Sequence, residues 1–182
     1  VTALADLERL AAEPATKEAV GLAIANLTGA EVQGLLPEVI SQMAVPTLVD
    51  IVAGGVGDAD ARTRLAVALC NLTAEPGARE GMVSDGAHGA LRTLSEAEAP
   101  TSAIQPLVLI GYINLLSVPA NQRAIVDDGA LKLLGRLANA PGASAEVRRY
   151  VGMALANVAD DLSLHANATH AEVLDMITPH VI

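Results

Sequence analysis

The residues with the clearest chemical potential are four asparagines that recur at a nearly constant interval. Asn26, Asn71, Asn114 and Asn157 each stand before Leu or Val, and successive asparagines are 45, 43 and 43 residues apart. A side-chain amide offers both hydrogen-bond donors and an acceptor, which are the groups that pair with a peptide backbone. A row of such amides therefore predicts either contacts to a bound extended peptide or contacts to backbone within the protein. The two interpretations are compatible, since one asparagine is able to make both kinds of contact.

No set of residues predicts catalysis or cofactor binding. His88 lies close to Asp85 in sequence, but no motif positions a serine or cysteine nucleophile beside them. His165, His170 and His180 have neither cysteine partners nor the i, i+4 spacing of a helical metal site. The run Gly54-Gly55-Val56-Gly57 lacks the Gly-Lys-Ser/Thr ending of a phosphate loop. We expect a non-enzyme with no metal and no cofactor.

Composition and charge exclude further classes of function. The net charge of −10 argues against a nucleic-acid partner, because phosphate binding needs a basic face. The longest apolar run, Leu107–Val118, has 12 residues and is too short to span a bilayer. A single cysteine, Cys70, cannot form an internal disulfide, which favours a reducing, cytoplasmic location. We expect Cys70 to be packed inside the fold.

The elements that carry the asparagines belong to an internal repeat. A second series has the same period: Asp85-Gly86-Ala87 matches Asp128-Gly129-Ala130, with an apolar pair after each. Each unit contains three predicted helices, and the glycine after the first helix suits a left-handed C-cap. The predicted first helices are 78–84 and 121–127, and the second are 88–97 and 130–139. Pro106 predicts that one third helix begins near Ile104.

The third helix of each unit has a predicted buried stripe. Counted from its asparagine, positions −6, −2 and +1 carry large side chains that lie within about 60° of one another around the helix. The stripe comprises Val20, Ile24, Leu27, Leu65, Leu69, Leu72, Val108, Tyr112, Leu115, Val151, Leu155 and Val158. The near absence of aromatic residues, 1% of the chain, favours helices packed closely on helices over one thick core.

A period of about 42 residues, a Gly-Ala turn and an Asn-Leu ending together resemble the armadillo repeat. The resemblance implies an all-α fold, a right-handed α-solenoid of three-helix repeats that forms one domain over residues 1–182. It gives a partial repeat (1–29), three full repeats (about 30–73, 74–117 and 118–160) and a further partial repeat (161–182). The chain is therefore expected to be an excerpt of a longer protein. One full repeat departs from the pattern, because Gln42-Met43-Ala44 replaces the Gly-Ala turn.

The resemblance also implies where a partner binds. In armadillo proteins the third helices line a concave groove, and their asparagines hold the backbone of an extended peptide. The same face is predicted to carry position −4 (Leu22, Val67, Ile110 and Met153), position −7 (Ala19, Arg64, Leu107 and Tyr150) and position −11. The tryptophans of the nuclear-import adaptors and the basic track of the β-catenin type are both missing. The predicted contact residues are Asn26, Asn71, Asn114, Asn157, Arg64, Leu107, Ile110, Tyr150 and Met153.

We therefore predict a scaffold that binds a protein or peptide in the groove. The alternatives are a structural subunit of a large cytoskeletal or ciliary assembly, and a chaperone or regulator of myosin or small GTPases. Cations at position −9 form a separate series, with Lys17, Arg62 and Arg148 on the side away from the asparagines. These cations are predicted to pair with acids at the repeat edges, such as Asp58, Asp85 or Asp128.

Overall fold

The structure is a computed structural model that describes residues 6, 14–29, 35–41 and 43–159, and all its regular elements within those ranges are helical. In chain order the α-helices are α1 (Pro14–Thr28), α2 (Leu35–Ser41), α3 (Ala44–Ala53), α4 (Ala59–Leu72), α5 (Arg79–Ser84), α6 (Ala87–Glu96), α7 (Ile104–Leu116), α8 (Pro119–Asp127), α9 (Ala130–Ala138) and α10 (Ala145–Ala159). A 3-10 turn, Pro76–Ala78, precedes α5.

The helices stack by type. The third helices form one continuous layer, in which α1 packs on α4, α4 on α7, and α7 on α10. The second helices α3 and α6 contact each other, as do the first helices α5 and α8. Each unit therefore buries its apolar surface against its neighbours, which is the defining property of a helical-repeat protein. The structure confirms the prediction of an all-α fold built from helical repeats.

The predicted buried stripe forms the core. Its members are at most 3% exposed, except Leu27, which is half-buried. Tyr112, the single aromatic residue of the stripe, is fully buried, and its hydroxyl donates to the His88 carbonyl at 2.9 Å. That hydrogen bond satisfies the polar end of an otherwise apolar ring. Core side chains from consecutive third helices therefore meet along the whole described stack.

The turn between first and second helices needs a left-handed residue. Gly86 and Gly129 adopt φ of 88° and 95°, as the sequence predicts. Met43 stands at the matching place in the preceding unit and has φ of 65°. This left-handed conformation is energetically unfavourable for a residue that has a side chain. The same turn geometry is therefore kept where the glycine is missing.

Helix boundaries agree with the prediction except at one first helix. α7 begins at Ile104, with Pro106 in its first turn, as predicted. α8 begins at Pro119, whereas the sequence predicted Asn121. The proline explains the difference, because its fixed φ and missing N–H suit the first helical position.

Candidate protein-binding surface

The asparagines of α4, α7 and α10 connect consecutive repeats. Asn71 Nδ2 donates to the Thr28 carbonyl at 3.4 Å, and Asn114 Nδ2 donates to the Thr73 hydroxyl at 3.0 Å. Asn157 Nδ2 donates to the Ile113 carbonyl at 3.0 Å. Each bond joins a third helix to the third helix before it, so these amides hold adjacent repeats in register.

The acceptors explain the repeated Asn-Leu-Thr sequence, a signal in the sequence that could have predicted these contacts between repeats. Thr28 and Thr73 follow Asn26 and Asn71, respectively, by two residues, and both threonines are buried, at 5% and 0% exposure. Their hydroxyls donate back to the carbonyls of Ala25 and Cys70, which fixes the end of each helix. The threonine of one repeat thus receives the asparagine of the next. Where the third repeat has Leu116 instead of threonine, Asn157 uses the Ile113 carbonyl.

The amides retain capacity for a second partner. A side-chain amide has two N–H donors and a carbonyl acceptor, and the contacts above use one donor of each. Asn71, Asn114 and Asn157 are half-buried, while Asn26 is exposed. Apart from Asp6, the residues before Pro14 lie outside the described part of the chain, and so does the third helix that would precede α1. The contact of all four with a bound peptide stays a prediction.

The side chains four residues before each asparagine form an apolar row next to the four asparagines. Leu22, Val67 and Ile110 are half-buried but do not belong to the hydrophobic core, and Met153 is 45% exposed. We call the surface made by this row and the four asparagines the third-helix face. Each of the four third helices contributes one large apolar side chain outside the core to this face.

Position −7 divides into two kinds of residue. Leu107 and Tyr150 are half-buried and pack against the core. The Tyr150 hydroxyl donates to Glu146 at 3.2 Å, and the Arg149 guanidinium lies 4.8 Å from the ring centroid. Arg64 is exposed and forms an ion pair with Asp60 at 2.8 Å. An exposed i, i+4 pair of this kind contributes little stability.

The prediction that the −9 cations pair with acids at the repeat edges holds for Arg62, but its partner is not Asp58, Asp85 or Asp128. Arg62 binds Glu98 of the following repeat at 2.7 Å and donates to the carbonyls of Val56 and Gly57. Arg148 donates to the Ala143 carbonyl at 2.6 Å. Asp58 instead caps α4 by accepting from the Ala61 amide.

The acid Asp128, expected to pair with a −9 cation, belongs to another contact between repeats. It accepts from Arg92 Nε and Nη2, both at 3.1 Å, and lies 3.9 Å from His88 Nε2. Arg92 and Asp128 are 36 residues apart and become neighbours only when the repeats stack, so the sequence alone does not predict this cluster.

Groups that could perform chemistry remain dispersed. Cys70 is buried, as expected, and burial raises the pKa of its thiol to about 11, so it is protonated at neutral pH. Across the described ranges no three His, Cys, Asp or Glu side chains gather as metal ligands. His165, His170 and His180 lie outside these ranges. Among the described helices none is long and apolar enough to cross a bilayer.

Comparisons with known proteins support the fold only. No protein-family model matches the sequence, and no curated protein matches it. Two crystal structures described as engineered proteins are similar. The first has a TM-score of 0.67 at 20% identity, covering 95% of this chain and 75% of the engineered one. The second has a TM-score of 0.66 at 21% identity, covering 95% of this chain and 45% of the other, so this chain spans under half of its length. At these identities the similarity indicates a common helical-repeat architecture.

Proposed function

We propose that this protein is a non-catalytic scaffold that binds an extended peptide segment of a partner protein along the third-helix face. The observation that supports the proposal best is the apolar row at position −4. A row of large apolar side chains outside the core of a water-exposed fold is a typical contact surface. Its continuity over consecutive repeats suits an extended ligand rather than a compact one.

The asparagines complement the row. Hydrogen bonds to the preceding repeat hold the side chains of Asn71, Asn114 and Asn157, so little side-chain freedom is lost at these three positions when a ligand binds. The remaining N–H and carbonyl of each amide are suited to successive peptide groups, independent of the ligand's side chains. The apolar row then supplies the preference for the ligand's side chains. This division of roles accounts for both residue types recurring at the same intervals of 45, 43 and 43 residues.

We further propose that the repeats are of the armadillo type and form a right-handed superhelix. Three helices per unit, the left-handed turn at Gly86 and Gly129, and the asparagine near the end of each third helix support that assignment. The roles in a cytoskeletal or ciliary assembly, in regulating myosin or small GTPases, and the cytoplasmic location rest on the sequence alone. They stay predictions.

The test uses a displayed library of random linear dodecapeptides selected on the wild-type protein. Selected peptides should lose at least tenfold in affinity for the double variant Ile110→Asp/Met153→Asp, as expected when an interface hot spot is replaced by charge. The matched control, Met43→Asp/Thr93→Asp, adds the same two charges at exposed positions outside the third helices. It should bind like the wild type.

Two results would contradict the proposal. Selected peptides could bind the Ile110→Asp/Met153→Asp variant with unchanged affinity while its urea-unfolding curve matches that of the wild type. Alternatively, the control variant could lose binding equally, which would mean that added negative charge and not the third-helix face determines affinity.

A further inference from the structure

A histidine lies at the junction between the third and fourth repeats. His88 is on α6, and its Nε2 is 3.9 Å from Asp128 Oδ2, which follows α8 in the next repeat. The His88 side chain is 14% exposed. The Tyr112 hydroxyl donates to the His88 carbonyl at 2.9 Å and so anchors its backbone. The imidazole is therefore enclosed between two repeats and not free on the surface.

The surroundings of this imidazole suit its neutral form. His88 Nδ1 is buried and has no hydrogen-bond partner among the described residues. A neutral ring leaves one nitrogen without a hydrogen, whereas the protonated ring carries N–H groups on both. Protonation would thus leave the buried Nδ1–H group without an acceptor. It would also place a positive charge close to Arg92. Asp128 would attract that charge, but Arg92 already binds both of its oxygens.

We propose that the junction between the third and fourth repeats is an acid-sensitive hinge, in which protonation of His88 loosens the packing of α6 against the α8–α9 turn. A protonated ring can regain hydrogen bonds at Nδ1 only by reaching water, and that movement separates the two repeats. The Arg92–Asp128 ion pair spans the same junction and would be disturbed with it.

The direction of the pKa shift agrees with this geometry. Burial lowers the pKa of His88 from 6.5; the Asp128 charge opposes the shift and the Arg92 charge adds to it. A histidine with a lowered pKa in the folded state contributes stability that is present above about pH 6.5. That stability is lost as the pH falls through the folded-state pKa. Other ionisable groups on the elements packed against α6 are Asp50 on α3, Asp60, Arg62, Arg64 and Cys70 on α4, Arg79, Glu80 and Asp85 on and after α5, and Tyr112 on α7. Beyond the junction, Arg123 and Asp127 lie on α8, Lys132 lies on α9, and Arg136 of α9 donates to Ser95 of α6.

The test compares amide hydrogen exchange at pH 7.5 and pH 5.5, corrected for intrinsic exchange rates. Carboxylates of ordinary pKa stay mostly ionised at pH 5.5, so histidine is the main group that titrates. Protection in residues 119–138 should fall by up to about tenfold, the limit for one histidine titrated one pH unit below 6.5. Protection in residues 44–72, which belong to the repeat before α6 and not to the repeat after it, should stay unchanged.

Two variants identify the histidine responsible. His88→Gln should keep full protection in residues 119–138 at both pH values, because glutamine does not titrate. The triple variant His165→Gln/His170→Gln/His180→Gln removes every other histidine and should lose protection like the wild type.

Three results would overturn the hinge: acid-induced loss that persists in His88→Gln, loss that disappears in the triple variant, or equal loss in residues 44–72. Should His88→Gln fail to fold, proton NMR of the triple variant decides the question. Its single histidine should titrate below pH 6.5, and a midpoint at or above 6.5 would overturn the proposal.

Discussion

Single residues show how the turn chemistry of this chain works and where it is strained. The glycines at 86 and 129 were predictable, since a Gly-Ala step after a short helix is a common left-handed cap. Met43 was recognisable as a departure from the pattern. Its positive φ was not predictable, because a sequence does not tell whether the backbone changes or the residue accepts strain. The neighbouring repeats decide, since α3 must still reach its place against α6.

Replacing Met43 by glycine should stabilise the protein. The left-handed conformation costs a residue with a side chain about 1 kcal/mol, and glycine adopts it freely. Met43 is 53% exposed, so little packing is lost. Urea unfolding should show a free energy of unfolding about 1 kcal/mol higher for Met43→Gly. Met43→Ala, which removes the same side chain but keeps a Cβ, should give no such gain; equal gains in both variants would exclude backbone strain as the cause.

At the scale of elements, the third helices were the most predictable part of the chain. The stripe at −6, −2 and +1 is buried as expected because helical periodicity places those positions on one side. Which residues next to the stripe stay outside the core was less predictable. Leu107 and Ile110 both belong to the predicted contact surface, yet only Leu107 packs against the core. The difference arises from packing between helices, which helical periodicity alone does not predict.

The same substitution by aspartate should lower the stability of the protein more at Leu107 than at Ile110. Leu107→Asp puts a carboxylate against apolar core atoms and should lower the free energy of unfolding by about 2 kcal/mol or more. Ile110→Asp, on the same helix, should lower it by about 1 kcal/mol or less. Urea unfolding of both variants measures the difference. Equal losses would mean that Ile110 is a core residue and that the apolar row is not a contact surface.

The contacts between elements were the least predictable, because they depend on the rotation from one repeat to the next. The series of asparagines was found from its period, but the acceptors Thr28, Thr73 and Ile113 were not.

Asn114→Ala removes the bond to the buried Thr73 hydroxyl and should lower the free energy of unfolding by about 1 kcal/mol. The control Asn139→Ala, at an exposed position, should change it little. A loss of the same size in both would contradict the cross-repeat role of Asn114.

At the scale of the whole molecule, serial packing predicts an elongated particle. Within the described residues, α4 and α7 each pack between the third helix before and the third helix after, so the third helices follow one another in series. A compact domain of 182 residues would have a radius of gyration of about 16 Å. Small-angle X-ray scattering of the monomer should give a clearly larger value. A radius near 16 Å would contradict the stack.

The central claim, that an extended peptide binds along the third-helix face, is tested most directly by NMR with a peptide selected from the dodecapeptide library. Chemical-shift changes should concentrate on the side-chain amides of Asn71, Asn114 and Asn157 and on the methyl groups of Ile110 and Met153. Residues on the second helices, such as Thr93 and Lys132, should not shift. Shifts confined to α6 and α9, with the asparagine amides unchanged, would contradict the account.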